Sequence, residues 1–98
     1  GEQVTPVDVM ITKDGQRAYV ALGRANRVAV VDVPGRSVIE YILVGKRAWG
    51  LALSDDETTL YVANGLSDDV TIIDTERMKA VTSVPVGHVP YDVLLDDR

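Results

Sequence analysis

The sequence has no cysteine and no phenylalanine, and it contains only one histidine and one tryptophan. Without cysteine, the chain offers no disulfide, no thiolate zinc site and no ligands for an iron–sulfur cluster. There is no run of basic residues and the formal net charge is −5, which opposes binding to nucleic-acid phosphates. No apolar run approaches the roughly 20 residues of a membrane-spanning helix. We therefore expect neither a nucleic-acid partner nor a membrane span.

Sequence motifs of common catalytic sites are also missing. The chain contains no Gly-x-Ser-x-Gly nucleophile motif, no Gly-x-x-x-x-Gly-Lys phosphate loop and no His-Glu-x-x-His zinc motif. We therefore predict no catalytic residue, no cofactor and no metal site within this chain.

An internal repeat with a constant offset of 42 residues organises the chain. The matched pairs include Tyr19-Val-Ala21 with Tyr61-Val-Ala63, Val28 with Val70, Asp32 with Asp74, and Val44-Gly45 with Val86-Gly87. The alignment needs no gap, so the 98 residues contain two complete units. Residues 89–95 repeat the opening of a third unit.

Each unit has the pattern of four short strands separated by turn-forming residues. In the first unit the apolar runs cover about residues 7–12, 17–22, 27–33 and 37–44. Asp14-Gly15 and Pro34-Gly35 favour turns, because glycine accepts positive φ and proline presets φ. Runs such as Arg27–Val33 are apolar at consecutive positions, so we expect both faces of each sheet to be covered.

A repeated four-stranded antiparallel unit of about 40–45 residues is typical of a β-propeller blade. A β-sandwich is the alternative, but its strands need not recur at a fixed interval. We predict an all-β propeller segment spanning residues 1–98, with blades at 6–46 and 48–88 and a closing strand at 89–96. Two blades leave two sheet faces open. The expected partners are therefore the other blades of a ring of about seven, or further copies of the chain.

The runs AYVALGRANRVAVVDV and LYVANGLSDDVTIIDT resemble the YVTN-type β-propeller repeat, although Leu22 stands where asparagine is typical. The region Trp49–Asp97 is similar to the C-terminal blades of the PQQ-dependent catabolism-associated β-propeller proteins. This resemblance implies an exported, periplasmic, non-catalytic scaffold or binding protein. Its implied partners are periplasmic proteins of an alcohol-oxidation system that uses pyrroloquinoline quinone. The alternative is a fragment of a propeller enzyme, a lactonase or a dehydrogenase subunit, whose catalytic residues lie in other blades.

Five residues are candidates for contact with a ligand or partner: Lys46, Arg47, Trp49, His88 and Tyr91. For Trp49 and Tyr91, at the start of innermost strands, packing against the neighbouring blade is the first interpretation and ligand stacking the second. Lys46 and Arg47 could form a cationic rim for an anionic ligand, although a solvated loop is the simpler interpretation. For His88 we favour a structural or solvent-facing imidazole over a metal or haem ligand, because no second ligand is suitably spaced.

The adjacent carboxylates Asp68 and Asp69 are predicted to form a turn between the second and third strands of their unit. A catalytic pair would need a cleft that raises one pKa, and a calcium loop would need alternating oxygen ligands and a bidentate glutamate. Asp32 and Asp74, at the ends of the third strands, are predicted to accept hydrogen bonds from turn amides.

Overall fold

The structure, a computed structural model, describes residues 7–86 and consists there of eight β-strands and one short 3₁₀ helix, Gly23–Ala25. The first sheet contains β1 (Asp8–Ile11), β2 (Arg17–Leu22), β3 (Arg27–Asp32) and β4 (Ser37–Leu43). The second sheet contains β5 (Ala48–Leu53), β6 (Thr59–Asn64), β7 (Asp69–Asp74) and β8 (Lys79–Pro85). The predicted closing strand at 89–96 lies outside the described residues.

In both sheets each strand pairs antiparallel with the next strand in the sequence, so every connection within a sheet is a hairpin. The prediction of four strands per unit is confirmed. Across residues 7–86 the structure has no helix of the length and hydropathy needed to span a membrane.

The repeat extends to backbone conformations that side chains alone would not specify. Positive φ occurs at matched turn positions: Asn26 (56°) and Asp68 (52°), Arg36 (54°) and Met78 (54°), and Gly15 (72°) and Glu57 (63°). A register shift falls between Val30 and Val31 in the first sheet and between Ile72 and Ile73 in the second. Arginine, methionine and glutamate are unusual at positive φ. The blade geometry therefore imposes these turns, whichever residue occupies them.

In each unit, an aspartate stabilises the first hairpin turn by accepting hydrogen bonds within it. Asp14 Oδ1 accepts hydrogen bonds from Thr12 Oγ1 (2.7 Å) and the Gln16 amide (3.0 Å). Asp56 Oδ1 accepts from Thr58 Oγ1 (2.7 Å) and the Thr58 amide (3.1 Å). These bonds favour the charged carboxylate and lower the pKa of both groups, for Asp14 chiefly through the Gln16 amide and for Asp56 chiefly through the Thr58 hydroxyl.

The predicted roles of Asp32 and Asp74 are confirmed. Asp32 Oδ2 accepts a hydrogen bond from the Gly35 amide at 3.1 Å, and Asp74 Oδ1 accepts one from the Glu76 amide at 3.0 Å. Both carboxylates thus close the turn before the fourth strand.

The hydrophobic core lies between the two sheets. Tyr19 is opposite Val30 and Ala21 is opposite Val28, so one face of the first sheet presents all four side chains together. The core residues are Tyr19, Ala21, Val28, Val30 and Ile42 from the first sheet, and Ala48, Leu51, Leu60, Val62 and Ile73 from the second. The core is therefore the interface between the two repeat units.

Candidate functional site

The second sheet carries an open apolar face that matches the buried face of the first. It comprises Ala52, Tyr61, Ala63, Val70, Ile72 and Val84, and we call it the second-sheet open face. Tyr19 is 2% exposed in the core, whereas its equivalent Tyr61 is 38% exposed. Ile42 is 5% exposed, and its equivalent Val84 is 43% exposed. Tyr61 and Val84 are thus exposed at positions that are buried between the sheets in the first unit, whereas the smaller Ala52, Ala63 and Val70 are buried.

The first sheet is open on the face that points away from the second sheet. It comprises Val9, Ile11, Ala18, Val20, Ala29, Val31 and Tyr41, and we call it the first-sheet open face. In the repeat, these positions are equivalent to the positions through which the second sheet packs on the first. Leu51 is 2% exposed in the core, whereas its equivalent Val9 is 49% exposed, and Ile11 is 56% exposed. The expectation that neighbouring sheets cover both faces therefore holds for one face of each sheet in the described residues.

Hydrogen bonds across the two sheets supplement the apolar core. The Leu51 amide donates to Asp8 Oδ2 at 2.9 Å. At the end of the sheets that carries the first hairpin turns, the Lys13 amide donates to Glu57 Oε2 and Lys13 Nζ donates to the Asp55 carbonyl, both at 2.8 Å. The sequence predicted turns at residues 13–16 and 54–57 but no contact between the two sheets there. The available signal was a departure from the repeat, because the equivalents of Asp8 and Glu57 are glycines.

A polar network lies at the other end of the second sheet. Asn64 Nδ2 donates to Asp69 Oδ1 and to Thr71 Oγ1, both at 2.9 Å. Asp69 Oδ1 also accepts from Ser67 Oγ at 2.7 Å, and the hydroxyls of Thr71 and Ser83 lie 3.0 Å apart. Asn64 and Thr71 are each 2% exposed. The network therefore links β6, β7 and β8 through side-chain hydrogen bonds.

The turn interpretation of the adjacent carboxylates is confirmed for Asp68, which lies in the turn before β7. Asp68 adopts positive φ, and its carbonyl accepts the Val86 amide at 3.0 Å, as the Asn26 carbonyl accepts the Val44 amide at 2.9 Å. Asp69 is the first residue of β7, and its carboxylate accepts hydrogen bonds from the side chains of Asn64 and Ser67. Within residues 7–86, no three His, Cys, Asp or Glu side chains are grouped so that they could hold a metal ion.

The connection between the sheets, residues 44–47, forms hydrogen bonds with this network. The Gly45 amide donates to Thr71 Oγ1 at 3.3 Å, and the Lys46 amide donates to Ser67 Oγ at 3.0 Å. A Cβ atom at Gly45 would lie 2.6 Å from Asn64 Nδ2. Glycine is thus required at position 45 for the connection to approach the asparagine side chain.

The structure places the candidate contact residues Lys46, Arg47 and Trp49 in this connection and the start of β5. Lys46 and Arg47 are exposed, and the Arg47 amide donates to Asn26 Oδ1 at 2.8 Å while its φ is 61°. Trp49 is 43% exposed, and its indole lies against Gly65, the turn residue that follows β6. Packing of Trp49 against a neighbouring blade stays a prediction. Val7, the equivalent of Trp49, lies against Gly23 in the same way.

The other two candidates, His88 and Tyr91, lie outside the described residues, and their contacts stay predictions. The sequence-predicted site is therefore described only in part, as one exposed segment between the two sheets.

An open cleft of about 270 Å³ lies between the sheets at the end that carries the first hairpin turns. Its lining includes Tyr19, Arg17 and Thr75 together with the carboxylates of Asp14 and Glu57. Burial raises the pKa of the Tyr19 phenol, and hydrogen bonds with Arg17 and Thr75 offset part of the shift. Tyr19 therefore stays neutral and contributes to the core at physiological pH.

No profile of a known protein family matches the chain, and no curated protein sequence matches it. Solved structures do match. Hydrazine synthase from Kuenenia stuttgartiensis is similar with a TM-score of 0.82 and 26% identity, over 87% of this chain and 24% of that one. Dihydro-heme d1 dehydrogenase NirN in complex with DHE is similar with a TM-score of 0.72 and 25% identity, over 81% of this chain and 17% of that one.

The WD40 repeats of RRP9 are similar with a TM-score of 0.78 and 14% identity, over 90% of this chain and 28% of that one. WD40 repeats form β-propellers, with four strands in each blade. The chain therefore has an all-β propeller fold in which each sheet is one blade, and the sandwich alternative is excluded. It spans about a quarter of the hydrazine synthase chain that it matches.

Proposed function

We propose that this chain forms one arc of a larger β-propeller and serves there as a non-catalytic binding or assembly scaffold. The pair of open faces carries the proposal. The second-sheet open face repeats side chains that are buried in the first sheet, and the first-sheet open face repeats positions that are buried in the second. Exposing Val, Ile and Leu side chains forfeits roughly 1.5–3 kcal/mol each. Such faces are stable when further blades cover them.

We further propose that the parent protein is exported to the periplasm and acts beside a PQQ-dependent alcohol-oxidation system. The support is the resemblance of Trp49–Asp97 to the propeller proteins associated with PQQ-dependent catabolism. Lys46, Arg47 and Trp49 are exposed on one segment and are available for contact with a periplasmic partner of that system.

Deletion of the coding gene in the source organism tests this role. The proposal predicts slower growth on a primary alcohol, unchanged growth on succinate, and recovery on the alcohol when the gene is restored. The tagged protein should fractionate with periplasmic markers. Equal growth of the deletion and parent strains on the alcohol, or a cytosolic location, would contradict the proposal.

A propeller enzyme, a lactonase or a dehydrogenase subunit, is the second candidate. It is favoured by the similarity to two enzymes, hydrazine synthase at 26% identity and a dehydrogenase at 25% identity. In that case the catalytic residues lie in other blades of the parent. Lactone hydrolysis or substrate-dependent dye reduction by the purified parent protein would identify this function, whereas neither activity is expected of a scaffold.

A further inference from the structure

We propose that the two open faces bind each other, so that a partner of this chain is a second copy of itself docked head to tail. The inference deepens the proposed scaffold role and rests on it, because other copies of the chain then supply the further blades that complete the larger propeller. In this arrangement the second-sheet open face of one copy contacts the first-sheet open face of the next.

The interface inside each copy is the template for this contact. There, Tyr19 is covered by a sheet that contributes Leu51, Leu60 and Val62. In the proposed contact, Tyr61 takes the place of Tyr19. The neighbouring copy contributes Val9, Ala18 and Val20, which stand at the positions of Leu51, Leu60 and Val62 in the repeat. Both surfaces are therefore apolar at the matched positions.

Several of these replacements are smaller than the residues in the template, including Val9 for Leu51 and Ala18 for Leu60. A smaller side chain buries less apolar area and contributes less free energy. Tyr41 stands where the second sheet has Ser83, and it is 55% exposed. Its ring supplies additional apolar surface at the rim. We therefore expect an interface weaker than the internal one, with association that depends on protein concentration.

Charge favours the same pairing at the end that carries the first hairpin turns. Inside one copy, Lys13 of the first sheet reaches the 55–57 turn of the second. The repeat places Asp55 at the position of Lys13, and it places Lys13 at the position of Asp55. Docked copies would therefore bring Asp55 of one copy toward Lys13 of the next. Opposite charges at matching positions favour this orientation of the two faces.

The proposed contact is heterologous, because the two surfaces that meet are different. Each copy carries both surfaces, so one interface leaves a free surface at either end of the pair. Assembly then continues into a closed ring or an open chain. A contact between two identical surfaces would stop at a dimer.

Two single substitutions separate these possibilities. Val9→Lys places a charge in the first-sheet open face, and Tyr61→Lys places one in the second-sheet open face. Each variant should sediment as a monomer of 10.6 kDa, with association weakened by roughly a hundredfold or more, because the interface would bury an unpaired charge. An equimolar mixture should form a 1:1 heterodimer, since each variant keeps the surface that the other lacks.

The unmodified chain should associate progressively with concentration in sedimentation equilibrium. Leu66→Lys is the matched control, because Leu66 is 66% exposed in a loop outside both faces, and it should assemble like the unmodified chain. Circular dichroism verifies that each variant folds. Ile11→Lys and Val84→Lys form a second pair if either of the first variants does not fold.

Three outcomes would overturn the inference: an unmodified chain that stays monomeric, single variants that assemble normally, or a mixture that forms no heterodimer. These results are distinguishable from failure of the proposed cellular role. The assembly experiment measures association of the purified chain alone, whereas the growth experiment measures the effect of losing the gene in the cell.

Discussion

Tyr19 and Tyr61 provide an internal comparison of the same residue at the same position of two blades. Tyr19 is 2% exposed and Tyr61 is 38% exposed. Replacing each with alanine in separate variants should destabilise the chain by different amounts, because only Tyr19 is covered by a neighbouring sheet. Both substitutions should be made together with Val9→Lys, which is expected to keep the copies apart.

The exposures set the size of the expected difference. Truncating a buried aromatic residue to alanine costs about 3–5 kcal/mol. The exposed fractions differ by about a third of the residue, and an aromatic side chain buries roughly 200 Å² when fully covered. At about 25 cal/mol per Å², this difference is worth about 1.5–2 kcal/mol. We therefore expect a loss of about 3–5 kcal/mol for Tyr19→Ala and of about 1.5–3 kcal/mol for Tyr61→Ala.

Urea denaturation followed by circular dichroism measures both free energies of unfolding. If Tyr61→Ala costs as much as Tyr19→Ala in the monomeric background, burial between the blades is not the source of the stability, and the reasoning fails. Without Val9→Lys, the proposed self-association should cover Tyr61. The gap between the two variants should then narrow as protein concentration rises.

Three further outcomes are expected. Gly45→Ala should destabilise the chain by about 1–3 kcal/mol in urea denaturation, because the added Cβ meets Asn64 Nδ2 at 2.6 Å. Asp69→Asn keeps an acceptor oxygen, so the fold should persist, and calorimetric titration with calcium or zinc should give no micromolar binding to either form. The Asp56 carboxyl has a pKa below its ordinary 3.8 in the folded chain, so its stabilisation is complete above that pH and is lost as pH falls further. Asp56→Asn should therefore flatten the decline of melting temperature between about pH 4 and pH 2.

The strands and turns were predictable from the sequence because a blade is held together mainly by hairpins between neighbouring segments. The constant offset located all eight strands, and it also anticipated that Asp32 and Asp74 have the same role. Positive φ at Arg36 and Met78 was not predictable from residue type, since neither residue favours it. Only the equivalence of these two positions in the structure identifies the shared turn.

Burial was predictable only in part, because it depends on which sheet covers which face. Tyr19 and Tyr61 lie in the shared run Tyr-Val-Ala, and they differ in exposure because a neighbouring sheet covers Tyr19. The contacts across the sheets involve Asp8 and Glu57, whose equivalents are glycines. The repeat pattern therefore predicts the blade, and the departures from it mark where one blade meets the next.

The network around Asn64 extends this reasoning to the order of the blades. Asn64, Thr71 and Ser83 form a polar surface on which Gly45 is seated, whereas the first sheet has Leu22, Ala29 and Tyr41 at the same three positions. The polar surface hydrogen-bonds the connection and needs glycine there, whereas the apolar surface offers the connection no hydrogen bond. The two surfaces therefore do not accept the same neighbouring blade equally well. The two sheets share a backbone but are not interchangeable. Exchanging Leu22 with Asn64 alone would place an amide without these partners at a half-buried position of the first sheet and would remove the donor to Asp69 in the second, so a viable exchange has to move the whole network together.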